Sequence, residues 1–201
     1  MRVIDVLTGF KYIGEVIAGF EQNHDGTYEI GFEESYGYLV GTHARDKDAV
    51  VAVMLIVEMA ASYRRRGMNL YEGLCELFER YGCYLEKTIS ITMPGIDGME
   101  KILSTMESLR THGVPGMQAR QVTDYLKQTV TCEGKTEPFT QYDKSNVLKY
   151  ELEDGASWFV ARPSGTEPKI KLYFGTMDAD NQRAQEKLGA LIDTVTEAVK
   201  Q

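Results

Sequence analysis

One seven-residue segment, Arg-Pro-Ser-Gly-Thr-Glu-Pro at 162–168, restricts the fold of the surrounding chain more than any other. Residues 157–161 before it and 169–174 after it alternate apolar and polar side chains, the pattern of half-buried β-strands. The proline and glycine residues between them favour a tight turn. The sequence therefore predicts a β-hairpin. One face of its second strand carries Ile170, Leu172 and Phe174.

The turn of this hairpin is rich in hydrogen-bond donors. Arg162 has a planar guanidinium that can bind a phosphate with two bonds, and Ser164 and Thr166 add hydroxyl groups. Gly165 has no side chain, so a ligand can approach its backbone N–H group closely. From the residues alone two interpretations stay open: a phosphate-binding loop, or a hairpin turn that needs glycine and proline only for its geometry.

Together with the following Lys-Ile-Lys-Leu-Tyr at 169–173, this segment resembles the phosphate-binding loop in the last domain of the α-D-phosphohexomutases. That family includes phosphoglucomutase and phosphomannomutase. The resemblance implies that the phosphate group of a sugar phosphate is held by Arg162, Ser164, Gly165, Thr166 and Lys171.

A second segment, Gly-Phe-Glu-Glu-Ser-Tyr-Gly at 31–37, resembles the sugar-binding loop of the family's third domain. A carboxylate and a hydroxyl two residues apart can hydrogen-bond neighbouring sugar hydroxyls. The resemblance therefore implies that Glu33 and Ser35 bind the sugar. Without it, an acidic surface loop is the simpler interpretation.

Two shorter segments resemble other parts of the same third domain. Thr-Gly-Phe-Lys at 8–11 is similar to a segment that lies near the bound sugar, which implies roles for Gly9 and Lys11. Arg-Asp-Lys-Asp at 45–48 is similar to a turn whose lysine reaches the substrate, which implies that role for Lys47. The four segments occur in the order that the family has.

Composition limits the remaining possibilities. The net charge of −8 and the lack of a basic run argue against a nucleic-acid partner. The most apolar stretch, 49–61, is too short to span a membrane and predicts a buried helix. Three cysteines, an odd number without Cys-x-x-Cys spacing, argue against disulfides and structural zinc. No signal peptide is apparent, so we expect a cytoplasmic protein.

Apolar periodicity predicts the other elements. Helices are expected from about Thr8, from 45 to about 66, from Asn69 as the N-cap, after a break at 94–98 to about Thr111, and from Asp178 to the end. Strands are expected at 28–32 and 83–93, with further strands within 119–132. Residues 33–38 are expected to form a loop. In the fourth of these helices, Ile102, Leu103, Met106 and Leu109 are expected to face inward.

The expected fold is an incomplete α/β domain at 1–82 followed by an α+β domain at 83–201, in which helices pack on an antiparallel sheet. Full-length family members carry a phosphoserine in a Thr-Ala-Ser-His type loop and bind Mg²⁺ through an Asp-Gly-Asp-Gly-Asp-Arg type loop. This sequence contains neither segment. The resemblance therefore implies part of domain three and all of domain four, a C-terminal fragment that holds no catalytic residue.

For the full-length enzyme the resemblance implies exchange between hexose 1-phosphate and hexose 6-phosphate through a bisphosphate intermediate, with Mg²⁺ and glucose 1,6-bisphosphate as cofactors. The expected partner is a glucose or mannose phosphate, and this chain alone is expected to be inactive. An incomplete third domain would expose apolar surface, so self-association is also expected. Two alternatives stay open: a non-catalytic phosphosugar-binding or regulatory protein, and a structural domain without a ligand.

Overall fold

In the computed structural model, residues 2–33, 37–140, 142–165 and 167–200 are described. Their contacts divide the chain into two units, Met1–Cys75 and Glu76–Gln201. Ser35 and Thr166, two residues with expected ligand contacts, lie outside the described residues. Across the described ranges, none of the helices combines the length and the apolar content needed to cross a lipid bilayer.

The first unit contains two long helices and a two-stranded antiparallel sheet. In chain order these elements are α1 (Phe10–Asn23), β1 (Ile30–Glu33), β2 (Gly37–Val40) and α2 (Ala49–Arg65). A further helix, α3 (Leu70–Tyr81), runs across the division between the units. The prediction of a loop over 33–38 was wrong at both ends, because Glu33 ends β1 and Gly37 begins β2.

A small core holds α1 against the hairpin. Phe10, Ile13 and Ile17 lie on one face of α1, three and four residues apart, and pack with Leu39 of β2. The Tyr28 hydroxyl donates to the Leu39 carbonyl oxygen over 2.9 Å. This spacing confirms the helix that the sequence predicts near Thr8, although α1 begins two residues later, at Phe10.

Helix α2 is apolar but not buried, so the prediction of a buried helix was wrong. None of its residues is buried, and Val50, Met54 and Val57 each expose 61% or more of their surface. An apolar stretch can be buried only where other layers pack against it. Among the described residues, α2 contacts β2, and Tyr63 lies against Gly73 of α3.

The starts of α2 and α3 follow from their capping residues. The Asp48 carboxylate accepts hydrogen bonds from the N–H groups of Val50 and Val51 at 2.8 and 3.1 Å. Asn69 Oδ1 accepts from the N–H of Glu72 at 2.9 Å, and Glu72 Oε2 accepts from the N–H of Asn69 at 2.6 Å. This reciprocal pair is a capping box, which confirms the predicted N-cap at Asn69.

The second unit is built on a seven-stranded antiparallel sheet with the order β3-β9-β8-β7-β4-β5-β6. Its strands and helices are β3 (Cys83–Thr92), α4 (Gly98–His112), β4 (Ala119–Asp124), β5 (Thr129–Cys132), β6 (Lys135–Pro138), β7 (Leu148–Leu152), β8 (Trp158–Pro163), β9 (Lys169–Asp178) and α5 (Asn181–Lys200). The predicted α+β class with an antiparallel sheet is confirmed.

One face of this sheet packs against α4 and α5. Residues that lie directly opposite each other on neighbouring strands share a face. Two such sets are buried in one core, together with residues of both helices. The sets are Leu148–Ala161–Leu172 and Tyr150–Phe159–Phe174, and Ile170 of β9 adjoins them in the same core. The rings of Tyr150 and Phe159 stack with their centroids 4.5 Å apart.

Two details of the second unit differ from the predictions. Ile102, Met106 and Leu109 of α4 face the core as expected, but Leu103 is 56% exposed. Leu103 follows Ile102 of the inward-facing stripe by one residue, so its apolar side chain points away from the core. The last helix begins at Asn181, because Asp178 still belongs to β9.

Candidate functional site

The predicted hairpin is confirmed, and it brings two cations of the expected phosphate site together. Arg162 of β8 lies directly opposite Lys171 of β9. Their neighbours Ala161 and Leu172 are buried against the helices. Because side chains alternate along a strand, Arg162 and Lys171 share the other face of the sheet. Two adjacent cations on one face create a local positive field within an acidic protein.

The turn after β8 is organised by hydrogen bonds of its own. The Ser164 N–H donates to the Lys169 carbonyl oxygen over 2.8 Å, which closes the hairpin. The Ser164 hydroxyl accepts from the Glu167 N–H over 3.3 Å. The Pro168 carbonyl accepts from the Met93 N–H over 2.9 Å and so joins the turn to the end of β3. The loop is therefore held in place from both sides before any ligand binds.

Gly165 lies at the exposed tip of this turn. Its φ angle is outside the left-handed range, and a Cβ atom built on it would meet nothing within 4 Å. The turn geometry therefore does not require glycine at this position. This observation argues against the interpretation in which the glycine serves the turn geometry alone.

A groove of about 380 Å³ opens beside this turn. One side is formed by Arg162, Pro163, Ser164 and Gly165, and the other by the first turns of α4 together with Ser145 and Asn146. Leu103, which the sequence placed in the core, is part of the α4 wall. The groove thus offers polar groups on both sides and an apolar wall beside them, the composition of a small-molecule site.

In the first unit, the structure brings Glu33 and Lys47 together. Lys47 Nζ lies 3.0 Å from Glu33 Oε1 and 3.3 Å from Asp46 Oδ1. The hydrogen bond to Glu33 is the main cause of a raised pKa for the Lys47 ammonium group. The Glu33 side chain is only 11% exposed, so its carboxylate is held at the end of β1 in a defined position.

The third segment of the expected sugar site lies close by. Lys47 Nζ is 5.2 Å from the centre of the Phe10 ring, a cation–π contact. Phe10 begins α1 between Gly9, which is the N-cap, and Lys11, whose ammonium lies 4.5 Å from the Tyr12 ring centre. Lys47 therefore joins segments that are distant in sequence, because it contacts both Phe10 and Glu33.

Sequence reasoning missed two residues of these sites. The Lys47 side chain lies against Gly37, where a Cβ atom would overlap it. Glycine at this position is therefore what lets Lys47 reach Glu33. Asn146 lines the groove beside the predicted phosphate loop. No short motif indicates Asn146. Gly37, in contrast, ends the 31–37 segment, so the motif itself could have indicated it.

Magnesium, which the resemblance implies for the full-length enzyme, finds no ligand set here. Within the described part of the chain, no three His, Cys, Asp or Glu side chains lie close enough together to hold a metal ion. The acidic side chains nearest the expected sugar site, Glu33 and Asp46, are both engaged by Lys47. These residues do not fit a magnesium site.

Comparison with protein families gives two matches that follow each other along the chain. Residues 1–81 match the α/β/α domain III of phosphoglucomutase/phosphomannomutase, and residues 114–188 match the C-terminal domain of the same family. These matches define the chain as a pair of consecutive domains of one multidomain class. The chain therefore belongs to the phosphoglucomutase/phosphomannomutase family.

Curated relatives agree with this assignment. The phosphoglucomutase of Staphylococcus saprophyticus is 36% identical over 189 residues, which cover 90% of this chain and 33% of the relative. The phosphoglucomutase of Staphylococcus aureus strain MRSA252 is 36% identical over 194 residues, covering 94% of this chain and 34% of the relative. The chain thus spans about a third of the length of the curated relatives it matches.

A solved structure supports the fold. The open form of the exocytosis-sensitive phosphoprotein pp63/parafusin, a phosphoglucomutase from Paramecium, aligns with a TM-score of 0.62. The alignment covers 96% of this chain and 33% of that protein at 16% sequence identity. At this identity the similarity shows the shared fold and nothing finer.

Proposed function

We propose that this chain is the substrate-holding part of a phosphohexomutase, an intramolecular phosphotransferase of the isomerase class. Residues 1–82 correspond to domain three with the sugar-binding loop, and residues 83–201 to domain four with the phosphate-binding loop. The observation that carries this proposal is the turn after β8, where Arg162 and Lys171 share one face and Gly165 is exposed without a conformational need for glycine.

In this proposal the phosphate that does not react is gripped by the guanidinium of Arg162, the hydroxyls of Ser164 and Thr166, the Gly165 N–H and the Lys171 ammonium. A fixed clamp of this kind lowers the reaction barrier by positioning the substrate, since phosphoryl transfer depends mainly on orientation and charge stabilisation. The Gly165 N–H and the paired cations provide donors that are in place before the ligand arrives.

The sugar is held in the first unit. The Glu33 carboxylate and the Ser35 hydroxyl bind neighbouring sugar hydroxyls, Lys47 adds positive charge, and the segment carrying Gly9 and Lys11 lies beside them. The Lys47 ammonium shields the Glu33 carboxylate in the absence of ligand. Glucose and mannose phosphates are the proposed substrates, because both present a hydroxyl pair that one carboxylate and one hydroxyl can bind.

The complete reaction interconverts hexose 1-phosphate and hexose 6-phosphate through an enzyme phosphoserine and glucose 1,6-bisphosphate. Mg²⁺ supplies charge stabilisation in such an enzyme, and neither its ligands nor the phosphoserine loop occurs in this sequence. We therefore expect no turnover from the 201-residue chain with glucose 1-phosphate, Mg²⁺ and glucose 1,6-bisphosphate. Measurable isomerisation by the purified chain would contradict the proposal. A cytoplasmic location fits the free thiols of Cys75, Cys83 and Cys132.

The binding role has its own test. Glucose 1-phosphate is titrated into the isotope-labelled chain, and the backbone amide of Gly165 is followed by NMR. We expect a saturable shift that disappears in Arg162→Ala. Arg120→Ala is the matched control, because it removes an exposed arginine from another strand of the same sheet. A Gly165 amide that does not respond at millimolar ligand would contradict phosphate binding by this loop.

A second candidate is a non-catalytic phosphosugar-binding or regulatory protein of the same family. The observation that favours it is the presence of the holding segments in a sequence without the phosphoserine and metal loops. The gene decides between the two. An in-frame upstream segment that encodes those loops supports the mutase, whereas translation that starts at Met1 supports the binding protein.

A further inference from the structure

Asn146 faces the phosphate loop from the other side of the groove. The groove is lined by Ser164 and Gly165 on the loop side and by Ser145 and Asn146 on the opposite side. Neither the family resemblance nor any sequence motif assigns a role to Asn146. Its side chain is the one in this wall whose orientation is determined by a buried charge.

That charge belongs to Arg110 of α4. Arg110 Nη2 donates to Asn146 Oδ1 over 2.8 Å, and Arg110 Nε donates to Asp124 Oδ2 over 2.8 Å. The side chains of Arg110 and Asp124 are only 4% and 8% exposed. A buried ion pair with this geometry holds the guanidinium still. Asn146 is thus tied to a rigid group that lies 36 positions away in the sequence.

This contact decides which end of the Asn146 amide faces the ligand. A guanidinium can only donate hydrogen bonds, so the oxygen of the amide must point toward Arg110. The NH₂ group then points away from Arg110, and no acceptor among the described residues takes a hydrogen bond from it. Arg110 thereby converts an amide that can donate and accept into a group that presents donors alone.

Donors alone are what a phosphate requires, because the oxygens of a phosphate dianion can only accept. We propose that Asn146 is a phosphate-positioning residue, which donates from its NH₂ group to an oxygen of the phosphate held by Ser164 and Gly165. This inference rests on the proposed function of the loop. It adds a grip from the α4 side of the groove, across from the wall that Arg162, Pro163, Ser164 and Gly165 form.

The decisive variant is Asn146→Asp. Aspartate has the same shape and keeps an oxygen that accepts from Arg110, so the hydrogen bond that ties residue 146 to α4 remains. It replaces the NH₂ donor with a negatively charged acceptor facing the phosphate. Loss of one hydrogen bond to a charged group weakens binding by about tenfold or more. Asn181→Asp, which adds the same charge at the exposed start of α5, is the matched control.

The measurement is the dissociation constant for inorganic phosphate and for glucose 1-phosphate, determined by NMR titration of the whole 201-residue chain. We expect Asn146→Asp to bind both at least about tenfold more weakly, and Asn181→Asp to bind them like the unsubstituted chain. We also expect the side-chain NH₂ resonances of Asn146 to shift during the titration. Thermal unfolding of Asn146→Asp should match the unsubstituted chain, because the contact with Arg110 is kept.

Each outcome separates this inference from the proposed function. If Arg162→Ala abolishes binding while Asn146→Asp binds like the unsubstituted chain, the loop is a phosphate site and Asn146 is only a structural tether. If neither ligand binds the unsubstituted chain, both the proposed function and this inference are wrong. If Asn146→Asp weakens binding but is also less stable than the control, the tether explains the loss and the inference is overturned.

Discussion

Replacing Gly165 by alanine separates a ligand-binding loop from an ordinary turn. The φ angle of Gly165 is outside the left-handed range, and a methyl group there would have no residue within 4 Å apart from its chain neighbours. The folded state should therefore accept alanine without strain. Because alanine restricts the unfolded chain more than glycine does, we expect Gly165→Ala to raise the free energy of unfolding by about 0.4–1 kcal/mol.

Gly155 provides the matched control in the same sheet. A Cβ atom added to it would also meet nothing within 4 Å, but its φ is +69°, in the left-handed region. Alanine at that position is strained, and we expect Gly155→Ala to lower the free energy of unfolding by about 1–2 kcal/mol. The two substitutions add the same methyl group at two exposed turns and should change stability in opposite directions.

Binding should change in the reverse order. A methyl group on residue 165 lies where a phosphate must approach the backbone N–H, and loss of a hydrogen bond to a charged group costs about 1.5–3 kcal/mol. We expect the dissociation constant for glucose 1-phosphate to rise at least about tenfold in Gly165→Ala and to stay unchanged in Gly155→Ala. Urea unfolding and NMR titration measure the two effects separately.

Two results would refute this reasoning. If Gly165→Ala is destabilised as much as Gly155→Ala, the glycine serves the turn and its presence says nothing about a ligand. If Gly165→Ala is stable and still binds glucose 1-phosphate like the unsubstituted chain, no ligand approaches the backbone at this residue. The first result would favour the interpretation of the segment as a hairpin turn alone, and the second would remove Gly165 from the proposed binding site.

Three further predictions concern other parts of the molecule. Burial raises the pKa of Tyr150 to about 12, so its neutral form stabilises the fold below about pH 10. This contribution to the free energy of unfolding, about 2–3 kcal/mol, should disappear as the pH rises from about 10 to about 12. In urea unfolding, Tyr150→Phe should lack this part of the loss of stability with pH. Asp124→Asn removes the buried counter-charge of Arg110 and leaves it only the exposed Glu107 carboxylate, so it should lower the free energy of unfolding by about 3–5 kcal/mol; a loss below about 1 kcal/mol would show that the Arg110–Asp124 pair is hydrated. The exposed apolar surface of α2 should make the chain self-associate. The double substitution Val53→Glu/Val57→Glu should therefore lower the average molecular mass measured by light scattering. A monodisperse monomer of the unsubstituted chain at high concentration would contradict this prediction.

Much of the second unit was predictable from local patterns. The β8–β9 hairpin follows from alternation on both sides of a turn, and the strand at 83–92 follows from alternation alone. In the first unit, the N-cap at Asn69 follows in the same way from the residue type at the start of an apolar periodicity. In each of these the deciding interactions lie within a few residues or within one strand pair, so the sequence contains the necessary information.

The candidate sites were only partly predictable. Arg162 and Lys171 are nine residues apart across a tight turn, so the hairpin itself places them opposite each other. Glu33 and Lys47 meet because a second strand, absent from the prediction, turns the chain back and because Gly37 leaves room for the lysine. Motifs in the sequence indicated which side chains belong to the candidate sites, whereas the contacts between these side chains depend on how the strands pair.

The sequence by itself determined the approximate positions of the helices and of β3, β8 and β9, because periodicity, capping and turn residues act over short distances. Only the tertiary structure decided which apolar faces are covered. Leu103 and α2 are as apolar as the core, yet both are exposed, because burial depends on whether another layer packs against them. The same holds for Asn146, whose orientation is set by Arg110 from a helix far away in the sequence.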